Sequence, residues 1–388
     1  MTQTEAHKLM YLQKNHLYLI RDRVQNKKHF TPKQSAVKTN CCKNNNILLV
    51  FFLLLIHSAA PAQTLSIDKK NFFSEEQPFE MSLTADVKKL FTEKLKKDYE
   101  ELGVPASITC IFNDSIKLTE DVEVCTRGEF RREECGMPPL MINFKTSKPG
   151  TLKKLGKLKL VWPCEATNYN EQLILKEYLA YKIYNLITEK SFRVRLVKIE
   201  VHDSRGKYKP FNFFAFFIED VDDMAKRNHC KEIELLKLNT EQTNREQATI
   251  VHLFQYMIGN TDWAVPLYRN IKLIQSKKDS LQAPFIVPYD FDYCGLVDAD
   301  YAVPVPDLEI TSVRERSYRG FARTMDELKA ALQIFETKKT AIDSLISNFK
   351  LLHDKNKKEM LYYLEDFYDT IAKDKNIKYI FIDNIKRN

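Results

Sequence analysis

The chain has 388 residues, 44% hydrophobic and 29% charged, which is material for one large domain or two small ones. Its formal charge of +8 invites a nucleic-acid reading, but the first 62 residues hold nine lysines and arginines against only Glu5 and Asp22. That segment therefore carries +7, the remainder is near +1, and no nucleic-acid partner is expected.

Residues 1–46 are polar and basic, and Ile47 to Ile56 is an unbroken run of ten apolar residues. A bilayer needs roughly 20. Ala60-Pro61-Ala62 follows as an A-x-A cleavage pattern before Gln63, so 1–62 reads as a basic extension with a secretory signal peptide. A short membrane anchor is the alternative, and the length of the basic flank points to an internal start such as Met10. No cysteine follows the cut, which argues against a lipid anchor. The chain is expected to be exported to the periplasm, envelope or exterior, with no stable transmembrane span. Cys41 and Cys42 fall in the removed part. Cys110, Cys125, Cys135, Cys164, Cys230 and Cys294 remain, an even number that suits disulfides, with the pairing open and simple burial as the rival reading. Without C-x-x-C spacing and with only His202, His229, His252 and His353 beyond the cut, a zinc site is not expected.

Residues 63–104 read as a loose leader (63–80) followed by a charged helix over 85–102. From 105 to 220 the pattern is β-rich with one helix. Strands are expected at Ala106–Phe112, Val122–Thr126, Leu140–Phe144 and Leu158–Trp162, where apolar residues alternate with polar ones. Residues 170–188 switch to a helical stripe of Leu173, Leu175, Tyr178, Leu179, Ile183 and Leu186. Arg193–Val201 and Phe211–Ile218 then form a hairpin about Ser204-Arg205-Gly206-Lys207, with Phe211, Phe213, Phe214, Phe216 and Phe217 as sheet core. After the acidic stretch 219–223, residues 221–388 are mainly helical: a helix over 243–258 ends at Gly259, a short β section holds Asn270–Ile274 and Pro284–Pro288, and amphipathic helices run from Met325 to about Lys373. The order predicts an α+β protein of two lobes.

The chemistry-bearing stretch runs from Gly259-Asn-Thr-Asp262-Trp through Asn270 to Tyr289-Asp290-Phe-Asp292. Three carboxylates and a carboxamide near the ends of two short strands are oxygen ligands suited to Mg²⁺ or Mn²⁺ holding polyphosphate. Phosphoryl transfer uses such an inventory, with an aspartate orienting the acceptor hydroxyl and an asparagine and a second aspartate holding metal. Asx-turns capping loops would give the same letters.

These motifs, with Thr126-Arg127-Gly128, Leu175-Lys-Glu177-Tyr-Leu-Ala-Tyr and Phe216-Phe-Ile-Glu219-Asp, resemble the secreted bacterial protein-kinase-like family related to the spore-coat kinase CotH and, more distantly, HipA-type kinases. The resemblance covers roughly residues 105–300. It implies a bilobal protein-kinase-like fold, with a β-rich N-lobe and a mainly helical C-lobe, binding ATP with Mg²⁺ or Mn²⁺. In it Asp262 takes the catalytic aspartate role, Asn270 and Asp290 hold metal, and Asp292 is a helper ligand. Glu219 to Asp223 form the hinge beside the nucleotide base. Glu177 pairs with Lys159 or Lys157, Lys145 competes for that lysine role, and the loop after Arg127-Gly128 covers the phosphates.

The chain departs from the pattern in two ways. The interval from Asp262 to Asn270 is wider than in typical kinases, and no G-x-G-x-x-G is present to cradle phosphates. Neither G-x-S-x-G nor H-E-x-x-H occurs, so serine-hydrolase and zinc-protease templates lack support. The expected activity is transfer of the ATP γ-phosphoryl group to a protein or glycan hydroxyl. A non-catalytic surface binding protein and an AMP transferase are the alternatives.

Overall fold

The computed structural model describes residues 67–93, 103–112, 116–128, 130–235 and 237–385. The signal-peptide reading of 1–62, and residues 94–102 of the expected charged helix, lie outside the described residues.

The strand that decides the architecture starts at the end of the expected loose leader (63–80) and runs to the start of the expected charged helix (85–102). Phe79, Met81, Leu83 and Ala85 alternate with Glu80, Ser82 and Thr84, so β1 (Phe79–Ala85) buries one face and exposes the other. A short helix, α1 (Lys69–Ser74), precedes it and α2 (Val87–Glu93) follows. Six further strands are β2 (Val104–Phe112), β3 (Ile116–Thr126), β4 (Leu140–Lys148), β5 (Lys157–Val161), β6 (Val194–Asp203) and β7 (Phe211–Ile218), with a short helix, α3 (Phe130–Glu134), between β3 and β4. They form a closed barrel in the order β1-β2-β3-β4-β5-β7-β6. β1 pairs antiparallel with β2 and parallel with β6, and every other pairing is antiparallel.

This corrects the expected bilobal protein-kinase-like fold. An open N-lobe sheet would leave two edges, whereas here β1 satisfies the free sides of both β2 and β6 and abolishes them. Residues 64–388 make one compact unit rather than two lobes.

Two apolar cores follow from strand alternation. Met81, Ile108, Ile142, Leu160, Ile199, Phe213 and Phe217 fill the barrel. Phe216 and Ile218, on the other face of β7, pack with Leu196 against α4 (Asn168–Ile187). The outer core continues through α5 (Val221–Arg227), α6 (Arg245–Ile258), α7 (Met325–Ser347), α8 (Asp354–Ile371) and α9 (Asp374–Lys378). A three-stranded sheet of β8 (Cys230–Ile233), β9 (Ile271–Ser276) and β10 (Phe285–Pro288), in the order β10-β9-β8, sits among these helices. Among the described residues no helix is long and apolar enough to cross a membrane.

Candidate functional site

The site begins where α6 stops. Gly259 caps it in the left-handed region at φ 66°. Asn260 then turns the chain, its Oδ1 accepting the Asp262 backbone N–H at 3.0 Å, so an Asx-turn does sit inside the motif. Asn270 Nδ2 donates to the Asp262 carbonyl oxygen at 2.7 Å and to Oδ2 at 3.0 Å, and Arg269 Nη1 meets Oδ1 at 3.3 Å. The wide interval between Asp262 and Asn270 is a small loop pinched by Ala264 and Arg269, whose N–H and C=O groups exchange bonds at 3.0 Å. The intervening residues are looped out, and the Asp262 and Asn270 side chains meet across the base of that loop.

The second half is anchored by the residue between the aspartates. Phe291 is fully buried, its ring 4.6 Å from that of Tyr181 and 5.5 Å from that of Phe254. Asp290, at φ 64°, donates its N–H to Tyr181 Oη at 2.8 Å, and Asp292 Oδ2 accepts from Tyr301 Oη at 3.0 Å. Tyr289 N–H bonds the Asn270 carbonyl at 3.0 Å, tying the two loops together. Gly295 N–H bonds the Gly259 carbonyl at 3.2 Å. A Cβ on Gly259 would collide with Tyr363 Oη, and one on Gly295 would lie 2.6 Å from the Val313 carbonyl oxygen. Both loops therefore depend on glycine for their close approach.

From the barrel side, β5 presents Lys159, whose ammonium sits 5.3 Å from the Tyr289 ring centroid. Burial, with Arg127 and Lys272 nearby, pulls its pKa down to about 8. Glu177, on α4, is 1% exposed, and neither carboxylate oxygen has a hydrogen-bond partner. Its ion-pair partner is Arg131, with Nη1 3.9 Å from Oε2. Burial and the Asp292 charge drive the Glu177 pKa well above the carboxylate range. Burial and the Asp290 charge likewise push Asp292 up to about 7. Asp262 is raised by burial, an effect that Arg269 offsets in part. Burial would lower the Arg131 pKa, but the fields of Tyr301, Asp292 and Glu177 hold it above its ordinary value.

Among the residues singled out from sequence, Asp262 and Asn270 are in direct contact. Asp290, Asp292, Glu177, Lys159 and Arg127 share one electrostatic environment. Others fall elsewhere. Lys157 and Lys145 are exposed on the outer side of the barrel. The Glu219 carboxylate is occupied by Arg227 at 2.9 and 3.3 Å and by the Arg193 N–H at 3.0 Å. Gly128 adopts φ 77° and its carbonyl accepts from Arg132 Nε at 2.9 Å, so it shapes the loop. The sequence assigns no role to Arg131, Arg269 or Tyr301, and Tyr181 enters it only as the last residue of the helix motif. Arg131 sits in a charged run indistinguishable from solvated surface, and Tyr181 is separated in sequence from the aspartate it serves.

No family model matches the chain, and no curated protein matches it. Among the described residues no three Asp, Glu, His or Cys side chains stand together as a ready-made metal site. The donor chemistry nevertheless suits a hard cation. Two aspartates and a carboxamide meet the usual protein share of a Mg²⁺ site, which phosphate and water complete. Glu177 adds a buried carboxylate that no hydrogen bond compensates. A separate depression of about 220 Å³, lined by Glu80, Ser82, Thr109, Lys198, Glu200 and Asn212, lies on the outside of the barrel and shares no residue with this cluster.

Proposed function

We propose that the chain is an exported, ATP-dependent phosphotransferase that transfers the γ-phosphoryl group to a protein or glycan hydroxyl. The reading rests above all on the Asp262–Asn270 pair, joined side chain to side chain at 3.0 Å, standing in the same electrostatic field as Asp290 and Asp292. It draws further support from the motifs this sequence has in common with CotH-like kinases. The reaction needs positioned charge more than a particular fold.

Asp262 receives the proton of the acceptor hydroxyl as it attacks. Asn270 and Arg269 fix the direction of its carboxylate, and burial raises its basicity. Lys159 and Arg127 donate to phosphate oxygens from the barrel side. Arg131 offsets the negative charge of Glu177 and Asp292. Mg²⁺ or Mn²⁺, held by Asn270, Asp290 and Asp292, would neutralise the charge on the polyphosphate.

Thermal-shift measurements with Mn²⁺ and ATP test the reading. A saturating ligand at about 100-fold above its Kd stabilises the folded state by about 2.7 kcal/mol. Wild type should shift upward and Asp290→Ala should not. Mass spectrometry of acceptor peptides or glycans should then show a phosphate adduct. An AMP adduct would establish nucleotidyl transfer instead, and no nucleotide-dependent shift in wild type would refute both.

A further inference from the structure

We infer that the Cys135–Cys164 disulfide makes the carboxylate site conditional on oxidation, because it pins the arm that holds Arg131 against Glu177. Only the predicted effect on nucleotide binding rests on the phosphotransferase reading.

The arm, described over 127–128 and 130–139, leaves the barrel after β3 and returns at β4, closed at its base by the Arg127 N–H on the Pro139 carbonyl at 2.9 Å. Among its described residues the one regular element is α3 (Phe130–Glu134), about a turn and a half, too short to persist on its own. Gly128 at φ 77° starts it, in a conformation that favours glycine. The arm is held from outside, by the segment that follows β5. Arg131 Nη2 donates to the Trp162 carbonyl at 2.6 Å, Trp162 Nε1 to the Pro138 carbonyl at 2.8 Å, and the Met137 N–H to the Cys164 carbonyl at 2.9 Å. The disulfide is the one covalent tie in this group, joining residues 29 apart in sequence.

The same arm supplies the cation at Glu177. With neither Glu177 oxygen hydrogen-bonded, Arg131 at 3.9 Å is its charge partner, and Asp292 lies in the same field. A buried carboxylate deprived of its cation either takes up a proton or draws in water. Loosening the arm thus withdraws Arg131 from beside Glu177 and opens that buried carboxyl to water.

The chemistry is thiol–disulfide exchange with a dithiol reductant. Cys164 is half-buried while Cys135 is buried, so the reductant thiolate attacks Cys164 Sγ. The disulfide bond breaks, and Cys135 leaves as a thiolate and takes a proton. The second reductant thiol resolves the mixed disulfide, yielding two cysteine thiols and the oxidised reductant. Cys110, Cys125, Cys230 and Cys294 are all buried, so among the described residues the response is confined to this pair.

The test compares oxidised protein with protein reduced by dithiothreitol, and with a Cys135→Ser/Cys164→Ser double variant. Hydrogen exchange by mass spectrometry reads the arm, and carbodiimide labelling of carboxylates reads Glu177. Reduction should raise exchange across 127–139 and labelling of Glu177, while exchange in β2 and α7 stays unchanged. Binding of Mn²⁺–ATP should weaken by about tenfold or more, the order expected for losing a charged contact. Unchanged exchange in the arm, unchanged Glu177 labelling, or unfolding of the whole unit on reduction would each overturn the inference. If the arm opens and Glu177 becomes labelled but oxidised protein never binds nucleotide, the inference stands and the phosphotransferase reading falls.

Discussion

Replacing Asn270 tests the geometry at the centre of the site. Its amide donates one bond to a backbone carbonyl and one to the Asp262 carboxylate. A neutral bond contributes about 1 kcal/mol and one to a charged group about 1.5–3. Both Asn270→Gly and Asn270→Ala should therefore cost about 2.5–4 kcal/mol. The two variants should not be equal, because residue 270 sits at φ 51°. Glycine adopts that conformation freely, whereas alanine bears a penalty of about 1 kcal/mol after the flexibility of unfolded glycine is allowed for. Scanning fluorimetry should rank the melting points wild type, then glycine, then alanine. Two results would refute the reasoning. Equal melting points for the two variants would deny the left-handed backbone, and near-wild-type stability in both would deny the bonds to Asp262.

The pH dependence of stability should carry the signature of Asp292. Its folded pKa, about 7, lies above the unfolded value of about 3.9, so the folded state holds more protons between them. Stability should fall as pH rises from about 4 to 7, and Asp292→Asn should flatten that slope in melting points measured across the window. Glu219→Ala should destabilise by about 3 kcal/mol or more in denaturant titration, since it removes the buried partner of Arg227 and the acceptor for the Arg193 N–H.

Much of the element pattern was legible because strands and helices write their periods into the sequence. The strand expected at Leu158–Trp162 appears at Lys157–Val161, and the helix over 170–188 at Asn168–Ile187. The sheet hairpin of β6 and β7 also falls at its expected place. The closure of the barrel was not legible. β1 is seven residues long, flanked by short helices, and its partners are β2 next to it in sequence and β6 more than 100 residues away. Its alternation of apolar and polar residues is a local strand signal, but nothing local shows that it joins β2 to β6 and closes the sheet. The site divides in the same way. Asp262, Asn270, Asp290 and Asp292 lie close enough in sequence to read as a motif. Arg131 against Glu177 and Tyr181 against Asp290 are pairings that only the fold creates.

The cluster is also a cost to the fold that brings it together. Buried ion pairs rarely repay the loss of water, and apolar residues of similar size would serve stability as well or better. Here the imbalance is greater than in an ordinary ion pair. Asp262, Asp292 and Glu177 are all pushed toward protonation, and Lys159 toward neutrality, so burial opposes the charged form of each group. Such opposed shifts collect where charge is used chemically. The two apolar cores, one inside the barrel and one between its outer wall and the helices, flank the cluster and offset that cost. The barrel brings Lys159 and the tethered arm to one side, the helical part brings both aspartate loops to the other, and Glu177 on α4 lies where they meet. A structural explanation would have to say why four acids and four cations are gathered where hydrocarbon would pack more cheaply. On the phosphotransferase proposal, a reaction that moves negative charge across the same space supplies the reason.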